Sequence, residues 1–276
     1  MTLLTLLTGF FIAESDTVKK ELHKEDDWIM HHVSDHTVIS IPPIHIGGVT
    51  IDLSITHKVL MLMIAAALLI FGLTYAASSN KRRKYPKGFG NFIEMLMLFV
   101  KTDIIEPTMG HSSLPFLPFF FTMFFFILTI NFLGLVPTFS TGTSSVSVTA
   151  GLAIITFIMT QVYGIKNNGF VGYFKGLIPP GVPVFVLPIM VVIEFISLLT
   201  KPFALAIRLF ANMIAGHIVI YAFIGLIFVL GYAIIPLSVA FSLFIYLLEI
   251  LVGLLQAYIF TMLSALFIGM AIHQDH

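Results

Sequence analysis

Apolar and polar positions along this chain separate into long blocks. Lys58–Ala77 is the first block able to cross a bilayer core of about 30 Å. Leu114–Pro137, which reads LPFLPFFFTMFFFILTINFLGLVP, is the second, and Val146–Gly164 is the third. Two far longer apolar segments follow, Val184–Leu230 and Gly231–Ile272. As straight helices at about 1.5 Å per residue, each would reach roughly 60–70 Å, about twice the hydrocarbon thickness. No turn-forming cluster lies between Phe203 and Leu230. The pattern therefore predicts two long, strongly tilted helices turning near Val229–Pro236, their tilt offset by contact with a protein partner.

The intervening stretches have their own signals. Gly88–Gly110 is apolar but dotted with Asn91, Glu94, Lys101, Asp103 and Glu106, which predicts a helix lying in the inner interface rather than crossing. Met1–Ala13 is too short to span and lacks a positive start, so a short surface helix is expected ahead of a cleaved signal. Ile44–Ile51 alternates around Gly47-Gly48 and reads as a small hairpin.

Charge orients the spans. KRRK at 81–84 with Lys87 marks an inner loop, which puts the N-terminal region outside. Thr138–Ser145 carries no Lys or Arg, as an outer loop should; the loop after Val146–Gly164 carries Lys166, Lys175 and a Gly/Pro cluster, as an inner one. Residues 1–57 are thus read as a polar region on the outer side and 58–276 as a membrane domain. The fold class expected is an all-α polytopic membrane protein with about five transmembrane helices, one interfacial amphipathic helix and a final long hairpin.

Composition agrees: of 276 residues, 58% are hydrophobic and 10% charged, more apolar surface than a soluble domain can hide. The only basic patch is Lys81–Lys87, which a membrane explains, so no nucleic-acid partner is expected. Cysteine is absent, which excludes disulfides and thiolate metal sites. His23, His31, His32, His36, His45 and His57 match no standard zinc spacing. No metal or cofactor is expected.

The chemistry concentrates in Val191–His217, VVIEFISLLTKPFALAIRLFANMIAGH. Glu194, Lys201 and Arg208 are seven residues apart and share a helix face, which Asn212 extends one turn further. His217 falls on roughly the opposite face. A cation at mid-membrane costs roughly 2.5–3.5 kcal/mol on insertion scales, so Arg208 must face protein, water or an anionic partner. Glu249 and Gln256, also seven apart, share a face of the last helix. In an antiparallel hairpin Glu249 lies near the level of His217, and Gln256 lies nearer Arg208. A carboxylate beside a histidine in apolar surroundings is suited to relaying protons.

KPFALAIRLFANMIAGH (201–217), LLQAYIFTML (254–263) and NFLGLVP (131–137) together resemble the signature stretches of subunit a of F-type ATP synthases. The resemblance runs from about Leu60 to Ile272. It implies a non-catalytic, proton-translocating stator subunit whose two long tilted helices face a rotating ring of c subunits, each carrying a membrane-embedded carboxylate. The implied partners are that c-ring, b-type peripheral stalk subunits, the remaining F1Fo subunits and the lipid bilayer. Arg208 matches the family's essential arginine, with Asn212 and Gln256 as nearby polar residues. Glu194 matches an inner-path carboxylate, and His217 with Glu249 a coupled outer-path pair. Gly134 stands where some bacterial members carry Asp, so that Asp's outer-path role is absent here.

The implied mechanism has two aqueous half-channels. Protons enter past His217, Glu249 and Asn212 and neutralise a ring carboxylate, which can then enter lipid without a large desolvation cost. They leave near Glu194. Arg208 attracts the bare carboxylate and blocks direct passage; Arg suits this because its guanidinium keeps its charge where a lysine could lose it. A stand-alone transporter or channel is the alternative, but such proteins often show inverted repeats and broken helices, which this sequence lacks. A structural scaffold with buried ion pairs is a third reading. The location expected is a bacterial inner membrane, or else a mitochondrial one.

Overall fold

The computed structural model describes residues 37–39, 44–46, 49–51, 54–81, 88–136, 142–176 and 185–272. The expected surface helix at Met1–Ala13, most of the His-rich region and the Lys81–Lys87 loop beyond Lys81 lie outside these residues.

The chain is an all-α polytopic membrane protein. Its only strands among the described residues are short ones in the polar region. β2 (Ile44–Ile46) and β3 (Val49–Ile51) pair antiparallel with Ile46 opposite Val49, the strand pairing that the alternation predicts. β1 (Thr37–Ile39) pairs with β4 (Ile55–Thr56).

The helices follow the apolar blocks. They are α1 (His57–Lys81), α2 (Phe89–Phe99), α3 (Glu106–Met109), α4 (Leu117–Gly134), α5 (Val146–Asn168), α6 (Phe170–Gly176), α7 (Leu187–Leu230) and α8 (Ile235–Ile272). Among the described residues, five stretches are long and apolar enough to cross a membrane, namely His57–Ser79, Ser113–Gly134, Val146–Asn168, Leu187–Phe228 and Tyr232–Ile272. The predicted turn between the two long arms falls at Gly231, with φ 76°, followed by a 3-10 turn at Tyr232–Ile234. A left-handed residue there favours glycine, since any Cβ would crowd the backbone.

Between α2 and α3 the helix widens into a π segment, Val100–Ile105. Pro107 offers no N–H to the carbonyl four residues back, and a π turn absorbs such a missing bond. The widening sets Lys101 and Glu106, five residues apart, at 3.7 Å. The π segment turns Val100, Ile104 and Ile105 inward, and α3 turns Met109 inward, all at 0–2% exposure, while Glu94, Asp103 and Glu106 stay exposed.

The described residues form two compact units. One comprises Lys58–Asn212 with Val252–His276; the other contains Met213–Leu251 and the N-terminal region to His57. The first unit holds the main apolar core, built on Phe120, Phe124 and Ile127 of α4 with Ile104, Leu209, Phe260 and Ile268 around them. Asn131 of α4 is fully buried; its Nδ2 donates to the Gly253 carbonyl at 3.1 Å, and its Oδ1 accepts from Thr143 at 3.0 Å. Elsewhere large apolar side chains remain open, among them Phe71 at 71%, Val192 at 57% and Phe203 at 66%. Uncovered surface of that size needs lipid or another protein subunit.

Candidate functional site

In the unit containing α4, the polar positions of α7 take different environments. Arg208 is exposed, among neighbours that include Ile207 at 38%, and no hydrogen bond or ion pair reaches it within the described residues. It is a cation standing alone on the open face of an apolar helix. Asn212, one turn on, is also exposed, and its Nδ2 donates to Gln256 Oε1 at 3.0 Å. Gln256 itself is 2% exposed, and its Nε2 has no hydrogen-bond partner among the described residues. Gln256 therefore anchors Asn212, and Asn212 shares the open face with Arg208.

Glu194 and Lys201, further back on α7, line a cavity of about 200 Å³. Thr156, Thr160 and Gln161 of α5, Tyr173 of α6 and Ala271 of α8 also line it. The Lys201 ammonium sits 5.6 Å from the centre of the Phe267 ring, a cation–π distance. Of the stripe predicted from spacing, Glu194 and Lys201 thus share a polar cavity while Arg208 stands on an open face. Gln161 and Tyr173 carried no signal in the sequence: one is a single amide in an apolar run, the other one aromatic among many.

In the other unit, His217 and Glu249 meet. His217 Nδ1 lies 2.7 Å from Glu249 Oε1 and 2.9 Å from the Met213 carbonyl oxygen. Nδ1 carries at most one hydrogen, which the carbonyl can accept. Glu249 Oε1 then sits beside the ring without a well-directed donor of its own among the described residues. The carboxylate side chain is 5% exposed and the imidazole 19%. The imidazole and the carboxylate thus face each other at hydrogen-bond distance within an apolar hairpin.

Gly216 makes this contact possible. A Cβ there would fall 2.8 Å from both Cγ and Cδ of Glu249, and would also collide with Oε1. Any larger residue would push the carboxylate away from His217. Tyr221, one turn beyond, stands edge-on to the imidazole with centroids 6.4 Å apart.

Residues 59–269 match the family described as ATP synthase A chain. The chain belongs to that family. Similar proteins include the ATP synthase subunit a of Chloroherpeton thalassium, 49% identical over an alignment of 260 positions that covers 90% of this chain and 77% of that one. The ATP synthase subunit a of Myxococcus xanthus is 47% identical over 82% of this chain and 77% of its own length. The ATP synthase subunit a 2 of Chlorobaculum tepidum is 42% identical over 98% of this chain and 80% of its own. Membership and the five apolar helices agree on an integral membrane protein.

Proposed function

We propose that the chain is the stator a subunit of the Fo motor of an F-type ATP synthase, itself non-catalytic. In this reading it forms two aqueous half-channels that carry protons to and from c-ring carboxylates, with Arg208 separating them. Residues 58–276 are the membrane domain, and 1–57 lie on the outer side of a bacterial plasma membrane. Its partners are the c-ring, b-type stalk subunits and the other F1Fo subunits.

The observation that carries the proposal is Arg208, exposed on an apolar helix with no ion-pair partner among the described residues. An isolated guanidinium facing lipid is costly, and Arg does not escape the cost by deprotonating. An anionic partner from another subunit removes that cost. A carboxylate that alternates between this cation and the lipid must be protonated before leaving and deprotonated on return. The His217–Glu249 pair is chemically suited to deliver the proton, and the Glu194 cavity to receive it.

The test is co-purification with transport. The proposal predicts a ring of small carboxylate-bearing subunits and a stalk subunit in the purified complex, together with ATP-driven proton pumping. A chain that purifies alone and conducts protons in vesicles by itself would favour the stand-alone channel.

A further inference from the structure

The cavity beside Glu194 and Lys201 contains polar groups that the proposed pathway leaves unused. At about 200 Å³ it has room for several waters, each of which takes about 30 Å³ in the liquid. Gln161 Nε2 is buried there without a well-directed hydrogen bond among the described residues. The Gln161 side chain nonetheless lines the cavity, so its polar end stands at the cavity wall beside Tyr173.

Tyr173 closes the same cavity from α6. It is 1% exposed, with its side chain in hydrogen-bond reach of Gln161. Burial pushes its hydroxyl above the usual range, with the Gln161 contact drawing it partly back, so the group stays a neutral O–H. Its ring lies against Gly164, where a Cβ would fall 2.5 Å from Cε2 and 2.8 Å from Cδ2. Asn168 fixes the adjoining end of α5, its Nδ2 donating to the Ala271 carbonyl at 2.8 Å and to the Gly164 carbonyl at 3.1 Å. The ring is therefore held in one place, and its hydroxyl with it.

We infer that Gln161 and Tyr173 are positioning residues of the inner ion path, holding the water that links Glu194 to the aqueous phase on the Lys175 side. This rests on the half-channel reading above. The proton moves along hydrogen-bonded water; neither side chain has to change its own charge.

Sidedness provides the test, and the absence of cysteine from the chain makes it clean. In the assembled complex in sealed vesicles, Gln161→Cys should react with a membrane-impermeant thiol reagent from the Lys175 side only, read as mass added to this chain. Reaction from neither side, or from the opposite side, overturns the inference. Tyr173→Phe and Gln161→Met keep the packing and should slow proton pumping roughly three- to tenfold, the equivalent of one lost hydrogen bond, with thermal stability of the complex unchanged. Equal losses of rate and stability would mean a packing role and overturn it. Glu194→Gln separates the two readings. If it leaves pumping intact, the half-channel reading itself falls. If it stops pumping while Gln161→Met and Tyr173→Phe run at the wild-type rate, only the present inference falls.

Discussion

The Arg208 face and the His217–Glu249 pair solve the same problem in opposite ways. Both place ionisable groups within long apolar helices, where unpaired charge is expensive. His217 and Glu249 meet at 2.7 Å, with the carboxylate buried and Gly216 leaving room for it. Arg208 has no such counterpart among the described residues and lies open on its helix. In the proposed function the pair formed within the chain holds and passes a proton, and the cation left open attracts a carboxylate that comes and goes.

Breaking the incomplete side should have the largest effect. Arg208→Ala is expected to abolish coupled proton transport while the complex still assembles, because the side chain makes no hydrogen bond or ion pair among the described residues. Arg208→Lys should be nearly as damaging, since a lysine in this setting can lose its charge. ATP-driven pumping in vesicles, alongside the subunit composition of the purified complex, measures both.

Breaking the complete side should cost less transport but more local stability. Removing one partner of a buried ion pair costs about 3–5 kcal/mol if the other remains charged. His217→Ala and Glu249→Ala should each slow pumping, and the double variant should be no slower than the worse single one. Additive losses in a double-mutant cycle would show that the two do not share a path.

Gly216→Ala sharpens the comparison, because it deletes no ionisable group. The added methyl must displace the Glu249 carboxylate, so pumping should fall toward the level of Glu249→Ala while leaving Arg208 untouched. A wild-type rate would mean that close contact of Glu249 with the helix is unnecessary. Gln256→Leu should have the smallest effect: it removes one hydrogen bond, worth about 0.5–1.5 kcal/mol, and frees Asn212 beside Arg208. A few-fold slowing, measured as initial pumping rate, is expected.

Much of the fold could be read directly from hydropathy. The apolar blocks became the long helices, and the break between the last two fell at Gly231 inside the predicted turn. The alternating segments Ile44–Ile46 and Val49–Ile51 paired antiparallel. The π segment was not legible, because it depends on how Pro107 is accommodated against a core that exists only once the helices pack. For the sites, spacing grouped Glu194, Lys201 and Arg208 on one face but could not show that two of them would share a cavity while the third stayed open. Nor could it single out Gln161 or Tyr173, whose roles arise from contacts between separate helices. The need for glycine at 216 is likewise a matter of distance to Glu249, which no local pattern encodes.

The most direct measurement is cross-linking from the open face. Ile207→Cys, next to Arg208 and itself 38% exposed, should form a disulfide with a cysteine placed beside the membrane carboxylate of the ring subunit in the assembled complex. The account predicts an efficient cross-link that stops rotation and is reversed by reductant. Failure to cross-link in an active complex, with the same cysteine modified freely by a lipid-phase reagent, would contradict it.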